Sequence, residues 1–183
     1  MDHLGIERAV IGGMSQGGFA SLRFALRHPE RVIGLVLLNT QAGQEDPEAL
    51  PRYEMMLDVW VKDGPNDVIA EAIAATIIGA DRPESPAWMA KWKARPTSEP
   101  RWIFRTLVSR EDLTDRLGEI TAPALVVHGE ADIAIDMPRA EMLAAGLSGA
   151  RPLVRVPGAA HAANLTHPEP VNAAIADFIR DLQ

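Results

Sequence analysis

The sequence predicts an α/β protein built on a parallel sheet, and three observations carry that prediction. Short apolar runs recur along the chain: "AVIG" at 9–12, "VIGLVLL" at 32–38, "ALVVH" at 124–128 and "PLVRV" at 152–156. Three of these lack the alternation of a half-exposed strand, which suits strands buried on both faces. Segments with helical spacing lie between and after them, as right-handed strand–helix–strand crossovers require. About four parallel strands are therefore expected, near 8–13, 32–38, 123–128 and 151–156, adjacent in sequence order with helices on both faces.

The elements follow in order. After the first strand, Phe19, Leu22 and Leu26 share one face of a helix over 16–28, and Pro29 can end it. Beyond the second strand the rhythm breaks. From about Asp46 to Leu117 there are helical patterns and no convincing strand, with Met56, Val59 and Trp60, then Val68, Ile69, Ala72 and Ile73, at helical spacing. Gly64-Pro65, Pro83, Pro86, Pro96 and Pro100 punctuate the stretch. All four tryptophans, Trp60, Trp88, Trp92 and Trp102, fall inside it. It reads as a helical insertion whose aromatics form their own small core, or as a lid whose inner face lines an apolar pocket; the two can coexist. Helices from Met137 to Leu147 and from Pro170 to Leu182 follow the third and fourth strands. The expected organisation is a core of 1–45 and 118–183 carrying a helical cap over 46–117.

Composition removes several function classes. The 183 residues are 47% hydrophobic and 23% charged, as in ordinary globular proteins. A net charge of -7 argues against nucleic-acid partners, which require a basic face. With no cysteine in the chain, disulfides, thiolate metal sites and cysteine nucleophiles are excluded. No apolar run approaches the ~20 residues of a membrane span. The start, "MDHLGIERAV", shows no signal-peptide pattern, so the cytoplasm is the default expectation. No cofactor and no metal site is expected.

The most informative stretch is "VIGGMSQGGF", where Ser15 stands between Gly13 and Gly17. G-x-S-x-G alone is weak, but here it follows a buried strand and opens a helix, the setting of a nucleophile elbow. Such a turn strains the serine backbone, and Gly13 and Gly17 remove side chains that would collide as strand and helix approach. The hydroxyl then projects from the strand's carboxyl end, and the Gln16 N–H at the helix start can face a developing oxyanion.

A serine needs a histidine to take its proton and an acid to orient that histidine, in the chain order serine, acid, histidine for this architecture. "LVVHGEADIAIDMP" supplies Asp132 after the third strand, and "VPGAAHAANLTHPEP" supplies His161 after the fourth. Both loops belong to the sheet edge that carries Ser15, where open α/β sheets bind ligands. Asp136 is a rival acid better suited to capping the helix at Pro138, and Glu130 is a third. His128 ends a strand and reads as structural. His167 reads as a capping or surface residue, and His3 and His28 as surface residues.

With those residues in place, the chain resembles the C-terminal two-thirds of an α/β-hydrolase-fold enzyme of the esterase, enol-lactonase and carbon–carbon hydrolase group. "LGIERAVIGGMSQGG", "HPERVIGLVLLNT", "LGEITAPALVVHGEAD" and "VPGAAHAANLTHPEPVNAAIADFI" carry the resemblance. It implies Ser15 as nucleophile, Asp132 as acid, His161 as base, and a helical cap where 46–117 falls. A serine at the nucleophile position speaks against haloalkane dehalogenases, which use a carboxylate there. Family members place about four more strands before the elbow, and a loop that supplies a second oxyanion N–H. The sequence therefore resembles a hydrolase lacking its N-terminal strands.

The residues and the resemblance together imply a serine hydrolase of an ester, a lactone or a similar activated carbonyl, and the tryptophans and methionines of the insertion suggest a small apolar substrate. The alternatives are a non-catalytic or weakly active half-domain that self-associates through an exposed sheet edge or needs a complementary N-terminal segment, and carbon–carbon hydrolysis or cofactor-free perhydrolysis on the same triad.

Overall fold

The computed structural model describes residues 1–95 and 100–182. The proline expected to punctuate the insertion at Pro96 lies outside them. The chain forms two compact units: Met1–Ala42 together with the residues from Leu113 onward, and Gly43–Asp112.

In the first unit, β1 (Ala9–Met14) leads through Ser15 into α1 (Gln16–Arg27), and β2 (Val32–Leu38) follows. The second unit holds α2 (Leu50–Asp63), α3 (Asp67–Ile77), α4 (Ser85–Lys93) and α5 (Pro100–Val108). The chain then returns with β3 (Ala124–Gly129), α6 (Met137–Gly146), β4 (Val154–Val156), α7 (Ala163–Thr166) and α8 (Pro168–Arg180). The four strands form one parallel sheet in the order β1-β2-β3-β4.

Sheet periodicity explains why the middle runs are apolar throughout. Leu35 and Leu37 of β2, with Ala124 and Val126 of β3, point to one face and pack with Phe19, Leu22 and Ala25 of α1 and Leu143 of α6. Val36, Leu125 and Val127 point to the other face and pack with Val171 and Phe178 of α8. Helices cover both faces, so alternate residues along one strand reach two apolar layers. At about 25 cal/mol per Å² of apolar surface removed from water, these layers are the main stabilising term of the unit.

β1 spans Ala9–Met14, within a residue of the expected 8–13, and it is half-buried with Gly12 exposed because it is an outer strand paired with β2 alone, the exposed sheet edge that the sequence suggests. One element differs from expectation. The fourth strand covers Val154–Val156 rather than 151–156. Arg151 N still donates to Ala124 O, but Pro152 has no N–H to continue the ladder.

The second unit pairs α2 with α5 and α3 with α4. Tyr53 and Phe104 bring their rings to 6.5 Å, and a buried Arg110–Glu45 ion pair lies near its two ends. Its tryptophans do not form one aromatic core. Trp60 is buried, Trp88 and Trp92 are half-buried with rings 6.4 Å apart, and Trp102 is 71% exposed. Among the described residues no helix is long and apolar enough to cross a membrane, and no His/Asp/Glu cluster is placed to hold a metal ion.

Candidate active site

The carboxyl ends of all four strands carry the residues of interest. Ser15 follows β1, Asn39 and Thr40 follow β2, Asp132 lies in the loop after β3, and His161 lies in the loop after β4.

Ser15 has φ 54° and ψ −120°, a conformation an L-residue adopts only under constraint. That constraint comes from backbone bonds on both sides. Ser15 N donates to Leu38 O (3.0 Å), while Gly18 N, Phe19 N and the Thr40 hydroxyl donate to Ser15 O at 3.0, 3.2 and 2.6 Å. The residue is the N-cap of α1, yet its hydroxyl makes no capping bond, so the oxygen is not committed to holding the helix. Gln16 is the first residue of α1.

The glycines divide this work differently from the sequence expectation. A Cβ on Gly13 would lie 2.1 Å from Gly17 C, so that close approach is real. A Cβ on Gly17 would meet nothing within 4 Å, and the steric role assigned to Gly17 is not seen. The second demand falls on Gly18, where a Cβ would come within 2.5 Å of Thr40. The helix packs against the end of β2 one residue later than the motif suggests.

Asp132 and His161 are brought together. His161 Nδ1 lies 2.8 Å from Asp132 Oδ2, with both side chains almost wholly buried. The same oxygen accepts from Asn39 Nδ2 at 2.9 Å. Oδ1 accepts from Ala134 N (2.9 Å) and Ile135 N (3.0 Å). Burial works to raise the Asp132 carboxyl, but the His161 hydrogen bond and charge, the Asn39 amide and the Ile135 N–H outweigh it, and the group sits below its ordinary 3.8. Gly129 lets the two loops meet, since a Cβ there would be 2.3 Å from Ala159 O.

Among the described residues no hydrogen bond joins Ser15 to His161.

The rival residues have other employment. Asp136 is the N-cap of α6, accepting from Arg139 N. Glu130 is exposed. His128 is fully buried, and its Nε2 bonds the Ile135 carbonyl at 2.8 Å, which fixes the proton on that nitrogen. Burial pushes His128 below its ordinary 6.5, against the opposing pull of the Ile135 carbonyl and Asp132. The ring is therefore neutral, and its 3.4 Å approach to Asp132 Oδ2 is not an ion pair. His167 meets the Thr166 hydroxyl at 2.9 Å, His28 packs on Phe24 and is half exposed, and His3 is exposed.

Sequence reasoning missed Asn39 and Thr40. The available signal was an Asn directly after a buried strand, because Asn is among the few L-residues that tolerate a positive φ, here 44°.

Comparison with known proteins bears on the fold and the family. Residues 1–168 match the family model described as alpha/beta hydrolase fold. The chain belongs to that family. Among curated relatives, a pimeloyl-[acyl-carrier protein] methyl ester esterase of Edwardsiella ictaluri is 29% identical over 94% of this chain and 69% of its own length. A 2-hydroxy-6-oxononadienedioate/2-hydroxy-6-oxononatrienedioate hydrolase of Paraburkholderia phymatum is 31% identical over 98% of this chain and 65% of its own. Among solved α/β-hydrolase structures, a thermophilic esterase from Thermogutta terrifontis superposes with a TM-score of 0.89 at 27% identity, over 99% of this chain and 68% of that one. The enol-lactonase from Burkholderia xenovorans gives 0.86 at 26%, over 98% and 68%. The chain thus spans about two-thirds of the length of these α/β hydrolases, and its kinship lies with the esterase group of the family.

Proposed function

We propose that the protein is a serine hydrolase of carboxylic esters, lactones or similarly activated carbonyls, with Ser15, His161 and Asp132 as its triad. The observation that carries this reading is a combination. A serine held at φ 54° at the carboxyl end of a strand shares its sheet edge with a buried histidine hydrogen-bonded to a buried carboxylate.

In the proposed reaction, Ser15 Oγ attacks the carbonyl carbon while its proton passes to His161 Nε2. Asp132, accepting from His161 Nδ1–H, fixes the ring tautomer and stabilises the imidazolium that forms. The N–H of Gln16, at the start of α1, donates to the oxyanion, aided by the positive end of the helix. Collapse of the tetrahedral intermediate expels the alcohol, which takes the proton from His161. Water then adds to the acyl-enzyme by the same route and restores Ser15. The cap role of residues 46–117 rests on the resemblance, and the apolar nature of the substrate on the tryptophans and methionines of that insertion.

Carbon–carbon hydrolysis on the same residues is the second reading, favoured by the 31% identity to the Paraburkholderia phymatum hydrolase. Purified protein assayed in parallel with p-nitrophenyl esters and a vinylogous diketone separates the two. The first reading expects the ester to turn over faster, and preference for the diketone transfers the assignment.

A further inference from the structure

We propose that Asn39 is the positioning residue of the acid–histidine pair; this rests on the serine-hydrolase reading of Ser15, Asp132 and His161. Asn39 follows β2 and is fully buried. Its Nδ2 donates to Asp132 Oδ2 at 2.9 Å and to Ala160 O, the carbonyl just before His161, at 3.3 Å. One nitrogen thus ties the acid to the loop that carries the base. The neighbouring Thr40 hydroxyl holds Ser15 O at 2.6 Å, so two consecutive residues reach all three segments of the proposed triad.

The chemistry selects asparagine at this position. The backbone has φ 44°, which asparagine tolerates better than most residues. Two acceptors must be met from one atom, which requires an NH₂ group. Serine offers one hydrogen, and aspartate would set a second carboxylate against the first. The amide orientation is fixed by the same logic, since the flipped form would aim an oxygen at two acceptors. In the orientation shown, Oδ1 is buried without a hydrogen-bond partner. A residue serving the fold alone gains nothing from that unmet acceptor.

Asn39 thereby fixes which lone pairs of Asp132 remain for the imidazole. Oδ1 is saturated by Ala134 N and Ile135 N, and Oδ2 is shared between Asn39 and His161. The titratable groups facing this carboxylate are His161 from the loop after β4 and His128 from β3, with Asp136 acting on His128 from the start of α6.

The test uses the full chain with Asn39→Ala and the near-isosteric Asn39→Asp, assayed with p-nitrophenyl butyrate across pH. The Nδ1–H proton resonance of His161 is followed by NMR in the same variants. In Asn39→Ala, kcat is expected to fall about 10- to 100-fold with KM unchanged, as for other partners that orient a functional group. The His161 resonance should move or broaden, because its acceptor is no longer held. In Asn39→Asp two carboxylates and the imidazole hold their protons more tightly. The acid limb of kcat/KM should then move up by about one pH unit or more. An unchanged resonance and an unchanged acid limb overturn the proposal, whatever happens to the melting temperature. Should Ser15→Ala retain full turnover, the serine-hydrolase reading fails instead. The His161 resonance still reports whether Asn39 holds the pair.

Discussion

Asp132 shows how much of this site is decided by single side chains. Its carboxylate is removed from water, which disfavours the charged form, yet four donors restore what solvent would have given. Asp132→Asn replaces an acceptor with an amide that cannot receive the Nδ1 proton in the same way. It should lower kcat by roughly 10⁴ if the triad follows other serine hydrolases. Asp136→Asn should leave kcat within about twofold, because asparagine caps a helix as well as aspartate. Reversed effects in a steady-state ester assay would move the acid to Asp136.

His128 adds a pH signature to stability. Its folded-state pKa lies below the ordinary 6.5, so the unfolded chain binds a proton more readily than the folded one. The stability it contributes is fully present above about 6.5 and is lost as pH falls from there through the lower folded value. Asp132, also depressed, acts in the same direction but only below its ordinary 3.8. Urea midpoints at pH 7.5 and 5.5 should therefore differ in the wild type, and less so in His128→Gln. Equal dependence in both would assign the pH effect elsewhere.

At the scale of elements, the junction of β1 and α1 combines a serine at positive φ with two close approaches, at Gly13 and Gly18. The sequence marked it through Gly13, Ser15 and Gly17, because a G-x-S-x-G between strand and helix has few other uses. It could not reveal that Gly18, rather than Gly17, lies against Thr40, since that contact depends on how β2 ends. Gly13→Ala and Gly18→Ala should each cost about 1–3 kcal/mol or more through overpacking. Gly17→Ala should gain roughly 0.5–1 kcal/mol, since alanine in a helix is favoured over glycine and its methyl meets open space. Thermal or urea denaturation of the three variants checks the order.

Strand and helix placement was legible for the same physical reason that the fold is stable. Doubly buried strands must be continuously apolar, and the runs at 32–38 and 124–128 were. β4 is shorter than its apolar run suggests, because Pro152 has no N–H to extend the ladder. Asn39 stayed hidden because its partners are 93 and 121 residues away in the chain.

At the scale of the whole molecule, β1 is one of the two outer strands of the sheet among the described residues. Among the described residues its second backbone edge has no strand partner, and half-buried apolar residues flank it. Edges of this kind template pairing with another chain. We expect the chain to self-associate, and size-exclusion chromatography with light scattering over a range of concentrations checks this. A monomer throughout would show that the edge is protected.

The central claim is that Ser15 is an activated nucleophile supported by His161 and Asp132. The most direct measurement is reaction of the purified chain with a fluorophosphonate, followed by peptide mass spectrometry alongside p-nitrophenyl ester turnover. The account predicts one adduct on Ser15, absent in Ser15→Ala and formed far more slowly in His161→Ala, with turnover falling in parallel. An adduct on another residue, or turnover that survives Ser15→Ala, would contradict it.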